Sequence, residues 1–487
     1  MKILHLIIFL VNIFSIISQS PDQLYDELFQ AVQMQRIFSD TKTFCDVIPR
    51  ELTPNEILLL YRNEYNKSTF NLTSFVLNNF ILPNITIIVH EQWTIEEHCH
   101  RLWSLLTRTT NENYSSFMDV PYPFIVPGGR FREFYYWDTY FTMLGLIRSN
   151  ETQLIKNMLD NFAYLIRKIG FIPNGNRYYY EGRSQPPFFS LMTELVNQTN
   201  NYRYELELEY QFWMTKRNIT LDDGTILNRY YDEFHDRPRM EAYFKDVQLA
   251  NKINNTNIYA HLRAAAESGW DFSSRWMENE TDLSTLITTH IIPIDLNCLL
   301  YHLELTLGKI EQAKYRQQAI QKYMWSNERK FFFDYNYIKK QLTNRLTLAA
   351  VFPLWLNVAT KDQAQYVAQQ IEFLFLHDGG VVTTLANQSS QQWDYPNGWA
   401  PLQYITYRAL LKTSGYESLA RIIRQRWMNI NERVFNNTGK MMEKYDVIDT
   451  NKLAGGGLYE TQDGFGWTNG VYLEMLYDNN NDPQLSI

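Results

Sequence analysis

Cysteine is scarce in this sequence. The 487 residues include only three, Cys45, Cys99 and Cys298, and such an odd, sparse set excludes a framework of several disulfides. One bridge is still possible, and the sequence does not select the pair. The fold must therefore be stabilised by a hydrophobic core, which a chain of this length with 45% hydrophobic residues can build.

An excess of positive charge is also absent. The net charge of −8 argues against a nucleic-acid partner, because phosphate backbones require a basic face. The three glycines at 455–457 lack the Lys-Ser/Thr ending of a phosphate-binding loop. The Glu-Glu-His-Cys-His run at 96–100 superficially resembles a metal site, but adjacent residues of a helix point in different directions. Neither a metal nor another cofactor is therefore expected.

Long hydrophobic runs are limited to the N-terminus. Residues 3–17 form a mostly apolar stretch after Met1 and Lys2 and before small residues near position 20. This pattern predicts a secretory signal peptide over residues 1–20, with an uncleaved anchor or a buried first helix as the alternative. No later segment has the length of a membrane span, and the polar C-terminus has no tail for a lipid anchor, so no transmembrane anchor is expected.

Sequons for N-linked glycosylation favour the same compartment. A secreted protein, or one within the secretory or vacuolar system, is expected to carry glycans at such positions. The sequons begin at Asn66, Asn71, Asn84, Asn113, Asn150, Asn197, Asn218, Asn254, Asn279, Asn387 and Asn436.

Strand-like alternation is scarce, whereas helical periodicity recurs from about residue 90. Residues 151–168 place apolar side chains at helical spacing and stop at Gly170, and residues 401–412 begin with a proline in the first turn. The sequence predicts an all-α domain over residues 90–487, after a less regular N-terminal extension over residues 21–89 that packs on it. Further helical patterns cover 311–324, 362–374 and 416–428.

Three segments place a tryptophan directly before an aspartate, at Asp138, Asp271 and Asp394. A carboxyl group beside an indole lies in a low-dielectric setting that raises its pKa, which suits a general acid. The alternative is that such an aspartate caps a helix or pairs with an arginine. Asp271 has the most suggestive surroundings, because a predicted helix ends at Gly269 and the carboxyl group can then face a cavity.

A second candidate carboxylate is Glu443, which precedes the glycine-rich loop. Such a loop is either a mobile lid over a ligand or an ordinary flexible connection. Arg130, Arg183 and the 237–241 segment supply planar donors that suit sugar hydroxyl groups, with surface ion pairing as the alternative.

Together, these segments resemble the trehalase family of inverting glycoside hydrolases. Residues 127–141 (Pro-Gly-Gly-Arg-Phe-Arg-Glu-Phe-Tyr-Tyr-Trp-Asp-Thr-Tyr-Phe) resemble the first family signature, and residues 392–401 (Gln-Trp-Asp-Tyr-Pro-Asn-Gly-Trp-Ala-Pro) resemble the second. The resemblance covers about residues 90–478, and residues 21–90 resemble nothing informative. Further matches follow in family order at 174–177, 183–187, 267–276 and 464–470.

The resemblance implies an (α/α)6 barrel that hydrolyses α,α-trehalose to two glucose molecules with inversion. Asp271 would be the general acid and Glu443 the general base that activates water. No cofactor is implied, and a monomer is expected. Two alternatives remain: an inverting α-glucosidase of the same fold that acts on another disaccharide, and a non-catalytic trehalose-binding protein with an altered lid at Leu458. The implied substrate-binding residues are Arg130, Phe131, Trp137, Asp138, Asn174, Arg183, Gln185, Arg239, Glu241, Gly269, Gln392 and Trp393.

Two positions depart from the family pattern: Met240 stands where proline is usual, and the other lies in the glycine-rich loop. The glycine-rich loop usually ends in Gly-Glu-Tyr, but here Leu458 stands between Gly457 and Tyr459.

We expect the leucine to weaken sugar binding or to alter the second sugar subsite, because an apolar side chain cannot accept hydrogen bonds from hydroxyl groups. Steady-state kinetics on trehalose should therefore differ between the parent chain and Leu458→Glu, and unchanged KM and kcat would contradict this expectation.

Overall fold

The computed structural model describes residues 19–83, 93–110, 114–457 and 459–478. The predicted signal peptide lies almost entirely outside these ranges. None of the helices in the described ranges is long and apolar enough to cross a membrane. In chain order, the described α-helices are α1 (Pro21–Met34), α2 (Lys42–Cys45), α3 (Pro54–Glu64), α4 (Leu72–Asn79), α5 (Ile95–Leu106), α6 (Tyr136–Arg148), α7 (Thr152–Ile169), α8 (Phe189–Leu195), α9 (Arg203–Lys216), α10 (Tyr243–Ile253), α11 (Ile258–Glu267), α12 (Ile294–Thr306), α13 (Ile310–Met324), α14 (Phe352–Trp355), α15 (Lys361–Gln370), α16 (Ala400–Leu411), α17 (Glu417–Thr438) and α18 (Gly466–Tyr477).

Six of these helices form a closed inner ring. In order around the ring they are α6, α8, α12, α14, α16 and α18; each contacts the next, and α18 closes the ring by packing along α6. Nearly all their side chains are buried, as expected for helices that are apolar on every side. A short 3₁₀ turn, Leu348–Val351, precedes α14 and lengthens it.

A second set of helices lies outside the ring. Helices α7, α9, α13, α15 and α17 each follow an inner helix in the chain, and α5 packs on α18. These outer helices bury one face and expose the other, which is the amphipathic pattern of a helix at a protein surface. Alternation of inner and outer helices around a closed ring is the arrangement of an (α/α)6 barrel. The predicted all-α class and barrel are confirmed.

The predicted helices are present, with differences at their ends. Helix α7 ends where Gly170 adopts a φ of +94°, a left-handed conformation that glycine accepts without strain. Helix α15 ends at Gln370 because a π-helical turn, Ile371–Phe375, follows it. Helix α17 continues to Thr438, well beyond the predicted end at residue 428.

The described strands are only two or three residues long, and they pair antiparallel within the loops. The pairs are β1 (Ile48–Pro49) with β2 (Phe80–Ile81), β3 (Thr107–Arg108) with β4 (Phe124–Ile125), β5 (Asn218–Thr220) with β6 (Ile226–Asn228), β8 (Trp325–Ser326) with β9 (Phe331–Phe332), β12 (Leu376–His377) with β13 (Gly380–Val381), and β14 (Asn397–Trp399) with β15 (Lys444–Asp446); β10 (Tyr335–Asn336) lies between β7 (Ile291–Ile292) and β11 (Gln341–Leu342). The pairing of β14 with β15 joins the second signature segment to the residues that follow Glu443.

The N-terminal segment is more regular than its sequence pattern indicated. Helices α1–α4 and the β1–β2 pair enclose a hydrophobic cluster of their own, which continues into the barrel through Tyr135 and Met240. Lys42 joins the two parts, because its buried ammonium group donates to Asp46 at 2.5 Å and to Glu133 at 2.9 Å.

The cysteines and the candidate metal run are part of the packed structure. All three cysteines are buried free thiols. In the 96–100 run, Glu97 forms a capping box with Thr94 at the start of α5, whereas His98 and Cys99 are buried. The run therefore directs its side chains to different surroundings, as expected for adjacent residues of a helix.

The ring closes where two glycines allow α6 and α18 to approach. A Cβ atom at Gly470 would lie 2.0 Å from the backbone oxygen of Phe141, and a Cβ atom at Gly145 would lie 2.6 Å from the Cα of Gly470. Alanine favours a helix by about 1 kcal/mol relative to glycine. A Cβ atom at position 470 would overlap with backbone atoms, and no side-chain rotation can relieve that overlap. The steric cost of alanine there should therefore exceed its helix preference.

We therefore expect Gly470→Ala to lower the free energy of unfolding by about 3 kcal/mol, as measured by urea denaturation. Gly455→Ala is the matched control, because a Cβ atom at Gly455 would meet no atom within 4 Å. The control should change the stability by less than about 0.5 kcal/mol. Equal stabilities of the two variants would contradict the close packing of α6 on α18.

Candidate active site

A cavity of about 780 Å³ opens at the end of the ring where inner helices begin. Its wall includes Trp137 and Asp138 from the first turn of α6, Trp399 directly before α16 and Trp467 in the first turn of α18. The positive ends of these helix dipoles therefore face the cavity, and they favour negative charge there.

The structure brings nearly all the predicted site residues to this cavity. Gln392 is the exception: it is buried behind the wall, and its side-chain amide donates to the backbone oxygen of Asp271 at 2.6 Å. The roles of the lining residues in catalysis and binding stay predictions. The thirteen that line the cavity are Arg130, Phe131, Trp137, Asp138, Asn174, Arg183, Gln185, Arg239, Glu241, Gly269, Asp271, Trp393 and Glu443.

Asp271 lies just beyond α11, and Gly269, with a φ of +74°, turns the chain toward the cavity. The carboxyl group of Asp271 opens into the cavity, and 37% of its side chain is accessible. Desolvation by the surrounding walls raises the pKa of Asp271 to about 6, although Arg239, 3.9 Å away, opposes this rise. A carboxyl group with this pKa is largely protonated in mildly acidic solution and can act as a general acid.

Glu443 lies directly before β15 and is buried. Its Oε1 accepts a hydrogen bond from the Tyr459 hydroxyl at 2.7 Å, and its Oε2 lies 3.9 Å from the Lys444 ammonium group. Oε2 has no hydrogen-bond partner within the described parts of the chain. Burial raises the pKa of Glu443, while Lys444 and the Tyr459 hydrogen bond oppose the rise. One oxygen is therefore held by the protein, and the other is available to water or a ligand.

Two arginines of the wall are fixed by carboxylates other than Asp271 and Glu443. Arg130 donates to the carboxylate of Asp40 at 2.7 and 3.0 Å. Arg239 donates to the carboxylate of Asp246 at 2.7 and 2.9 Å. Two parallel hydrogen bonds set the plane of each guanidinium group, so both arginines are pre-oriented.

Arg183 belongs to a larger polar network on the same wall. It donates to Asn174 at 2.8 Å and to Glu241 at 2.6 Å, and its remaining nitrogen lies 3.4 Å from Asp232. Burial opposes the ionisation of Glu241, but Arg183 and Arg239 outweigh it and lower the pKa of Glu241. The Oε2 of Glu241 has no hydrogen-bond partner among the residues described here, so this charged group can accept one from a ligand.

Tryptophans form the apolar part of the wall. Trp393 stacks on Trp399 with ring centroids 3.9 Å apart and lies 5.5 Å from Trp270 on its other side. Trp137 packs so closely against Gly269 that a Cβ atom there would lie 2.9 Å from its indole ring. These rings exclude water and give the cavity an apolar wall against which a sugar can pack.

The three Trp-Asp pairs differ in what their aspartates do. Asp271 and Asp138 both line the cavity, where burial raises the pKa of Asp138 and the nearby charge of Glu443 raises it further. Asp394 instead is buried behind the wall and accepts hydrogen bonds from Ser273 and Thr384, both at 2.8 Å. Asp394 therefore holds the loop that follows Asp271 through serine and threonine hydroxyl groups rather than by pairing with an arginine.

Some wall residues were not predicted from the sequence. Asp40 and Arg36 come from the N-terminal segment, which contains no recognised motif, and they reach the cavity only because that segment packs on the barrel. Tyr459 had a signal in the sequence, since it follows the glycine-rich loop that was suspected to be a lid. Leu458, a departure from the family pattern, lies outside the described residues.

Comparison with known proteins assigns the chain to a family over most of its length. The sequence profile of the trehalase family matches residues 36–480. A periplasmic trehalase of Citrobacter koseri is 43% identical over an alignment 496 residues long, which covers 94% of this chain and 86% of that protein. A periplasmic trehalase of Escherichia coli is also 43% identical, with 94% and 87% covered. The match includes much of the N-terminal segment that the motifs left unassigned.

Solved structures agree with the assignment. The neutral trehalase of Saccharomyces cerevisiae superposes with a TM-score of 0.62 at 29% identity, and 73% of each chain is covered. A mannosylglycerate hydrolase of Thermus thermophilus, at 14% identity and a TM-score of 0.51, covers 78% of this chain and 99% of its own, and it shows a shared fold alone. With a family profile that matches more than nine-tenths of the described chain and relatives at 43% identity, the protein belongs to the trehalase family of glycoside hydrolases.

Proposed function

We propose that this protein hydrolyses α,α-trehalose to two glucose molecules with inversion, with Asp271 as the general acid and Glu443 as the general base. The observation that supports this assignment best is the contrast between the two carboxyl groups of one cavity. Asp271 has a pKa raised to about 6, and the arginine 3.9 Å from it, Arg239, gives its two hydrogen bonds to Asp246 instead. Glu443 has a tyrosine donor on one oxygen and an ammonium group near the other.

In this mechanism the protonated Asp271 gives its proton to the glycosidic oxygen as the bond to the anomeric carbon breaks. Glu443 removes a proton from a water molecule that attacks the same carbon from the opposite face. Inversion requires the two carboxyl groups to be roughly 6.5–9.5 Å apart, so that the water fits between base and sugar. Asp271 ends the cycle ionised and Glu443 protonated, and exchange with solvent restores both.

The remaining wall residues suit a small, fully hydroxylated substrate. Arg183, Arg239 and Glu241 present oriented donors and an acceptor to sugar hydroxyl groups. Trp137 and Trp393 supply apolar surface for the ring faces. A disaccharide without a reducing end needs recognition on both rings, which an enclosed cavity lined on several sides can provide.

The proposal extends to processing and organisation. Residues 1–20 would be removed as a signal peptide, residues 21–89 would form the extension and residues 90–487 the catalytic domain of a glycosylated monomer. Relatives named periplasmic trehalase support export. So does the exposure of every sequon asparagine in the described ranges, because glycans require accessible sites. These are Asn66, Asn71, Asn150, Asn197, Asn218, Asn254, Asn279, Asn387 and Asn436.

We expect Asp271→Asn and Glu443→Gln each to lower kcat on trehalose by about 10³-fold or more, because each removes one proton-transfer group. The two variants should differ on α-glucosyl fluoride, whose leaving group needs no proton. Asp271→Asn should retain most of the parent activity on the fluoride, whereas Glu443→Gln should not. Asp223→Asn, which changes an exposed carboxylate bound to Lys322, is the control and should match the parent.

The anomers of the product test the stereochemistry in the same preparation. Proton NMR within the first minutes should show α- and β-glucose in equal amounts, one from the leaving group and one from the attacked ring. Release of α-glucose alone would indicate retention and overturn the mechanism. If the folded parent releases glucose from maltose or kojibiose but not from trehalose, the substrate assignment is wrong while the carboxylate roles survive.

The activity should also depend on pH through Asp271. Because burial raises its pKa to about 6, the required acid form is lost as the pH rises through that value. We expect kcat/KM to fall by about tenfold per pH unit above the pKa of the free enzyme, and to fall on the acidic side as Glu443 becomes protonated. A plateau that continues above pH 8 would show that Asp271 is not the general acid.

A further inference from the structure

Lys444 is a buried cation that the mechanism above leaves without a role. It is the first residue of β15, directly after Glu443, and its side chain is completely inaccessible. Its ammonium group donates to the Oε1 of Gln392 at 2.9 Å and lies 5.1 Å from the ring centre of Trp399. Desolvating an ammonium group is costly, so its place in the wall requires compensation by a nearby negative charge.

Glu443 supplies that charge in an unusual geometry. The Lys444 nitrogen lies 3.9 Å from the Oε2 of Glu443, too far for a hydrogen bond but close enough for strong attraction in a desolvated site. The directed hydrogen bond of Lys444 goes to Gln392 instead. The ammonium group therefore stabilises the negative charge of Glu443 without occupying the oxygen that must receive a proton from water.

The hydrogen bond to Gln392 continues to the other carboxyl residue. The Nε2 of Gln392 donates to the backbone oxygen of Asp271 at 2.6 Å, while its Oε1 accepts from Lys444. Pairing of β15 with β14 fixes the same region, with Trp399 opposite Lys444. A continuous path of two hydrogen bonds thus joins the residue beside the base to the backbone of the acid.

We propose that Lys444 is a positioning residue that keeps Glu443 ionised with its Oε2 free and, through Gln392, fixes the base relative to Asp271. The inference rests on the proposed function of Glu443 as the general base. Lys444 does not transfer a proton in this scheme. Its contributions are a fixed charge and a fixed separation between the two reacting groups.

Other charged and titratable groups also face Glu443. Tyr459 and Arg130 favour its ionised form, whereas Asp138 on α6 repels it. Burial is the largest influence on the pKa of Glu443 and raises it, and Lys444 is the largest opposing one. Removing the ammonium group therefore raises the pKa of Glu443, and the acidic limb of the pH profile must move to higher pH.

The test measures kcat/KM on trehalose against pH for Lys444→Met and Lys444→Gln, after the parent chain and Glu443→Gln have shown that glucose release depends on Glu443. Both substitutions remove the charge, and the glutamine keeps polar atoms that can reach Gln392. We expect the acidic limb to move upward by at least one pH unit in both variants. Lys452→Met, which removes an exposed lysine bound to Asp449, is the matched control and should leave the limb unchanged.

A purely structural lysine would give a different result. The melting temperature would fall and kcat would decrease equally at every pH, with the acidic limb in its original place; that outcome overturns the proposal. Gln392→Met separates the two contributions, because it keeps the ammonium group but breaks the link to Asp271. It should lower kcat without moving the limb.

A measurement on the parent chain needs no substitution at position 444. In protein labelled with ¹⁵N-lysine, the Nζ resonance that shifts in Glu443→Gln should have the chemical shift of an ammonium group across the pH range of activity. The chemical shift of a neutral amine would overturn the proposal even if the Lys444 variants fail to fold. If the parent chain releases no glucose from trehalose, the proposed function itself is refuted.

Discussion

The site depends on each buried guanidinium group having a carboxylate partner that does not take part in the reaction. At Arg239 that partner is Asp246, bound through two hydrogen bonds, while Asp271 lies 3.9 Å away. An aspartate in direct contact with a buried arginine would have a low pKa and could not donate a proton near neutral pH. Because Asp246 occupies the direct contact, Asp271 keeps a raised pKa and Arg239 stays charged and oriented toward the cavity.

The same principle makes the N-terminal segment part of the active site. Asp40 holds Arg130, whose guanidinium group lies 4.6 Å from the ring centre of Tyr459, and the Tyr459 hydroxyl in turn donates to Glu443. Without Asp40, the barrel would contain a largely buried arginine that lacks its carboxylate partner, an arrangement that costs several kcal/mol. The inner ring forms the floor of the cavity. The N-terminal segment supplies the carboxylate of Asp40, which balances the charge of Arg130.

The sequence predicted local features well and long-range contacts poorly. The position of α7 was predicted from helical periodicity and Gly170, because these signals depend only on residues close together in the sequence. The family motifs identified Asp271 and Glu443, but nothing local distinguished Asp394, whose neighbour is also a tryptophan. Its role is set by Ser273 and Thr384, which approach only in the folded chain. Asp40 was missed for the same reason, since its importance lies in a partner ninety positions away.

Burial raises the pKa of both Asp271 and Glu443, so burial does not distinguish the acid from the base of the proposed mechanism. The difference comes from their neighbours. Glu443 has an ammonium group from the first residue of β15 and a hydroxyl donor from the loop that follows the strand, and both favour its charged form. Asp271 faces an arginine that is already paired, so its neutral form persists to higher pH. In the proposed mechanism, the direction of proton transfer therefore follows from which carboxyl group has a positive charge beside it that no other carboxylate binds.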